Sequence, residues 1–103
     1  MMSRKSGPHY SFRADLEIEW GSAVLRGSTR VVSANGMFIE SAAPRWVGAD
    51  FTARLSLAKP VKVDCFVKRV EPGHGMGVPV TLSEEQHKQN YQDLLNSLSS
   101  STP

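Results

Sequence analysis

The chain has 103 residues and a formal net charge of +2, which fits a single domain and is too weak to hold duplex DNA or a membrane surface. Its single thiol, Cys65, excludes a disulfide-stapled secreted scaffold. The opening Met1-Met2-Ser3-Arg4-Lys5 lacks the apolar core of a secretion signal, and no stretch approaches the roughly 18 apolar residues that span a bilayer. No membrane insertion and a cytoplasmic location are therefore expected.

In chain order, residues 1–9 are polar, carry Gly7 and Pro8, and read as a flexible leading segment. Phe12, Ala14, Leu16, Ile18 and Trp20 then alternate with Arg13, Asp15, Glu17 and Glu19, which predicts one unbroken strand. Gly21-Ser22 supplies a two-residue hairpin turn. A second strand follows from Ala23 to about Val32, with Leu25, Thr29 and Val31 on one face, so Val31 reads as a packing residue. Asn35-Gly36 is a turn signal in which Gly36 supplies a backbone angle that other residues resist. Met37-Phe38-Ile39 restarts a strand.

A loop with Pro44, Trp46 and Gly48 follows, in which Trp46 is a candidate for a protein contact. Phe51, Ala53, Leu55 and Leu57 then alternate with polar residues, as do Val61, Val63, Cys65 and Val67, which makes Cys65 a core thiol. Pro72-Gly73-His74-Gly75 turns the chain into Met76-Gly77-Val78-Pro79-Val80. Pro79 cannot donate to a ladder, so that strand is expected to end or lie at an edge there. Ser83 and Gln86 have the spacing of a capping box, with Leu82 as a staple. His87, Tyr91, Leu94, Leu95 and Leu98 then mark one face of a helix. The expected fold is all-β: a six-stranded antiparallel barrel, which removes exposed edges, with one C-terminal α-helix. The folded domain spans residues 10–98, and 99–103 form a disordered tail.

Three segments carry a resemblance to a known family. His9-Tyr10-Ser11-Phe12-Arg13-Ala14 stands where the family has an Arg-x-x-x-Arg motif. Val31-Val32-Ser33-Ala34-Asn35-Gly36 stands where it has Asp/Asn-x-Ser-x-x-Gly. Gly75-Met76-Gly77-Val78 matches the Gly-x-Gly-Val that opens its last strand. In this order and spacing, over about residues 9 to 98, the chain resembles the PilZ domain, a bacterial receptor for the second messenger cyclic di-GMP. His9 occupies the first Arg position and Val31 the Asp/Asn position.

The resemblance implies a ligand with two phosphates and two guanines. An Arg reads a guanine edge in a bidentate fashion and stacks on the base, while phosphates accept from hydroxyls, turn amides and guanidiniums. It implies that Arg13 clamps guanine or phosphate, that Ser33 and the Asn35-Gly36 amides hold phosphate or ribose, and that His9 stands near them. It also implies that the leading segment, with Arg4 and Lys5, closes over the nucleotide. A Val reads no guanine edge, and an imidazole is shorter than a guanidinium without its permanent charge. The loss of one charge-assisted hydrogen bond costs about 1.5–3 kcal/mol, so the two departures imply a weakened site. Arg4, Lys5 and Arg30 are nearby sources of substitute charge.

The histidines His9, His74 and His87 fall on different elements. No paired-carboxylate site, nucleophile elbow or phosphate-cradling loop is present, so neither a catalytic site nor a metal centre is expected. The leading expectation is a cyclic di-GMP receptor or adaptor in bacterial second-messenger signalling, with no cofactor beyond that ligand. The alternative is a PilZ-like adaptor that binds an unidentified protein partner and no nucleotide. A barrel that binds single-stranded nucleic acid fits less well, because Phe12 and Trp20 lie on the apolar face opposite Arg13.

Overall fold

The computed structural model describes residues 8–41 and 46–100. Arg4, Lys5, Pro44 and the last three residues of the expected tail lie outside the described residues. Among these residues eight strands form: β1 (Tyr10–Ser11), β2 (Asp15–Trp20), β3 (Ala23–Val32), β4 (Gly36–Glu40), β5 (Asp50–Leu55), β6 (Val61–Phe66), β7 (Arg69–Glu71) and β8 (Gly75–Thr81). One helix, α1, spans Glu85–Ser100, two residues beyond Leu98.

Every strand pairing is antiparallel. The circuit β3-β2-β5-β6-β8-β4 returns to β3, so six strands close a barrel as the alternation anticipates. The two short strands extend it: β1 continues the line of β2 against β3, and β7 continues the line of β6 against β8. Inward-facing Leu16, Ile18, Ile39, Ala53, Leu55, Val61, Val63 and Met76 are almost fully buried. The outward face of β2 carries Glu17 and Glu19, set against Arg54 of β5, with Arg54–Glu19 at 3.2 Å. No helix among the described residues is long and apolar enough to cross a membrane.

The fine structure departs from simple alternation in five places. The first strand is interrupted at residues 12–14, and the reason is Thr29 of β3, which is wholly buried. Its hydroxyl accepts from the Ala14 N–H at 2.9 Å and donates to the Phe12 carbonyl at 2.6 Å, replacing ladder bonds across the break. Second, the register shifts between Thr29 and Val31. This bulge buries Val32 completely and turns Val31 outward, so Val31 is a half-exposed wall residue and not a core one.

Third, β8 runs through Pro79 to Thr81. The Pro79 nitrogen faces the side where β7 stops at Gly77 and β6 begins at Val80, a gap in which no ladder donor is needed. Fourth, the Glu84 carbonyl, and not Ser83, opens the helix by accepting from the Lys88 N–H at 3.0 Å, and Gln86 bonds Asn90 instead of closing a capping box. Fifth, Gly36 is not among the glycines with positive φ. A glycine is needed there because a Cβ would lie 2.5 Å from the Val78 carbonyl oxygen of the paired strand.

Candidate functional site

The turn between β3 and β4 is built by Ser33. Its N–H donates to the Gly36 carbonyl at 2.9 Å, and its hydroxyl bonds both the Gly36 carbonyl (3.1 Å) and the Gly36 N–H (3.2 Å). The Asn35 carbonyl accepts from the Val80 N–H at 3.1 Å, which pins the turn to β8. Beneath it, Tyr91 of α1 donates to the Ser33 carbonyl at 2.5 Å. The turn is thus rigid on three sides, as a ligand platform requires.

A cavity of about 370 Å³ opens beside this turn, and its lining includes His9, Val31, Ser33, Asn35 and Gly36. His9 reaches it because Tyr10 and Ser11 pair with Val32 and Val31, which lays the leading strand alongside the turn. The lining adds Arg30 of β3 and, from the chain beside β8, Lys68, Arg69 and Glu71, three cations against one carboxylate. Such a volume and charge suit a small anionic ligand. Four of the candidate residues, His9, Ser33, Asn35 and Gly36, therefore meet at one place.

Arg13 is elsewhere. It leaves the chain at the break in the first strand, and its guanidinium bonds Ser28 Oγ at 2.7 Å and Glu40 Oε1 at 2.6 and 2.9 Å. Arg13 does not line the cavity. Ser28 and Glu40 belong to a second, shallower hollow with Asp15, Arg26 and His74. Arg4 lies outside the described residues.

The residues that sequence reasoning missed are Lys68, Arg69 and Phe38. Phe38 points outward, since its neighbours Met37 and Ile39 join the core, yet only 7% of it is exposed. The Arg30 guanidinium lies over its ring at 4.8 Å from the centroid, and that of Arg69 at 5.9 Å. Strand period alone marks Phe38 as outward, but only the fold brings Arg69 from β7 to it.

Cys65 lies in the core, where burial, aided by the Asp64 carboxylate, pushes its thiol pKa up to about 12. Among the described residues no three His, Cys, Asp or Glu side chains are grouped to hold a metal. Trp46 is 63% exposed and meets Trp20 edge-on at 4.9 Å.

No family model and no curated protein matches the sequence. Among solved structures, the chain is similar to the PilZ domain of CeSA from a cellulose-synthesizing bacterium. The TM-score is 0.72 at 17% identity, over 90% of this chain and 99% of that one. The closed barrel, its terminal helix and this likeness define a PilZ-like fold.

Proposed function

We propose that this domain is a PilZ-type receptor for cyclic di-GMP whose site is weakened relative to the full motif. The observation that carries the reading is the basic cavity, where the Ser33–Gly36 turn and His9 face Arg30, Lys68 and Arg69. A dinucleotide with two phosphate charges matches a wall of three cations, and a rigid turn lowers the cost of ordering the site on binding. The weakening follows from His9 and Val31 at motif positions and from the engagement of Arg13 by Glu40.

Calorimetric titration of cyclic di-GMP into the purified protein tests the reading. Micromolar binding that weakens as salt rises is expected. Absence of heat and of any melting shift at millimolar ligand sinks it. One observation favours a second reading, a PilZ-like adaptor for a protein partner: Trp46 and Val47 expose 63% and 61% of their surface beside Trp20. A nucleotide-silent domain that loses a partner on Trp46→Ala would identify that role.

A further inference from the structure

We infer that the guanidinium groups that receive guanine in this domain are Arg30 and Arg69, seated on Phe38, and not Arg13. The ligand in this inference rests on the receptor reading above; the geometry does not. Four residues form a row across the outer face of the sheet. Val31, next to Arg30 on β3, pairs with Phe38 on β4; Phe38 pairs with Gly77 on β8; and Gly77 pairs with Arg69 on β7. The bulge at Thr29/Val31 sets Arg30 over the Phe38 ring from one side. Arg69 lies across Gly77 from the other, where a Cβ would meet its Nε at 3.1 Å and its Cγ at 3.4 Å. With no Cβ at Gly77, Arg69 lies close against the sheet on its way to Phe38.

A guanidinium held over an aromatic ring keeps its second face for a planar base and its N–H edge for acceptors such as guanine O6 and N7 or phosphate oxygens. The side chains of Arg30 and Arg69 are 52% and 64% exposed. Their carboxylate contacts are long, 3.8 Å to Glu40 and 3.4 Å to Glu71. Exposed pairs of this kind are weak and open readily to a ligand. Both line the cavity and Lys68 stands beside them as a further cation for phosphate. Arg13, by contrast, donates to Glu40 at 2.6 and 2.9 Å and to Ser28 at 2.7 Å and does not line the cavity. The role that the motif gives to Arg13 passes to side chains on β3 and β7.

The test is titration of cyclic di-GMP into the wild-type domain and into Arg30→Ala, Arg30→Lys, Arg69→Ala and Arg13→Ala, each checked for an unchanged melting curve. The expected result is at least a tenfold loss for Arg30→Ala and Arg69→Ala and little change for Arg13→Ala. Arg30→Lys keeps the charge but not the planar face, and it should remain weak. Loss of binding confined to Arg13→Ala overturns the inference and leaves the receptor reading standing. Wild-type affinity in Arg30→Lys overturns it as well.

If the wild type itself gives no heat, the receptor reading falls, and guanosine 5′-monophosphate followed by amide shifts decides the site. Shifts at Phe38 and Gly77 that vanish in Arg30→Ala sustain it; their absence in the wild type overturns it.

Discussion

The Tyr91 hydroxyl donates to the Ser33 carbonyl at 2.5 Å across 58 positions of sequence, tying the middle of α1 to the turn beside the basic cavity. Both residues are buried, and burial holds the Tyr91 pKa well above its ordinary value, so the donor keeps its proton. Tyr91→Phe removes the donor and leaves a buried carbonyl without its partner. Urea denaturation should show a loss of about 1–2 kcal/mol. Amide exchange at Gly36, three residues along the same turn, should quicken; unchanged stability and exchange would mean that the helix does not brace the turn.

Thr29 holds the break between β1 and β2 with one hydroxyl that both donates and accepts. Thr29→Val keeps the shape but orphans the buried Ala14 N–H and the part-buried Phe12 carbonyl, at about 2–3 kcal/mol together. Thr29→Ser restores both bonds and loses only a methyl, about 1 kcal/mol. Denaturation midpoints for the pair check this ordering, and a Val variant as stable as the Ser variant would contradict it.

Cys65 offers a pH test. Its thiol is pushed up from 9.0 to about 12 by burial and by Asp64. Below 9.0 the thiol is protonated in folded and unfolded chains alike and stability does not depend on it. Between 9.0 and about 12 only the unfolded thiol ionises, so folding stability falls as pH rises through that window. Cys65→Ala should therefore lose less stability than the wild type on going from neutral to alkaline solution. Alkylation of the native protein by iodoacetamide at neutral pH should be negligible until denaturant is added.

The Arg13–Glu40 pair is short but lies at the surface, with 64% of the Arg13 side chain exposed. Exposed ion pairs contribute about 0–1 kcal/mol, so Arg13→Ala should shift the denaturation midpoint little. A loss several times larger would mark Arg13 as an organiser of the β2–β3 junction.

The barrel was legible because period two persists through β2, β5 and β6. Leu16 with Ile18, and Val61 with Val63, Cys65 and Val67, all turn inward where alternation places them. Local exceptions were not legible, since each depends on a residue distant in sequence. Thr29 breaks a strand 15 positions away, and the close approach of Val78 fixes the glycine at 36. Asn90, buried on α1 with its amide on the Pro60 carbonyl at 2.9 Å, gave no apolar signal at all. For the site, the turn and His9 could be read from motif spacing. The cationic wall could not, because Lys68 and Arg69 join it only when β7 folds back along β8.

The measurement closest to the centre of this functional reading is an amide-shift map of cyclic di-GMP on the isotope-labelled domain. Saturating shifts at Ser33, Asn35, Gly36 and Gly77, around the basic cavity, are the expected result. Shifts confined to Arg13, Ser28 and Glu40, or none at millimolar ligand, would contradict it.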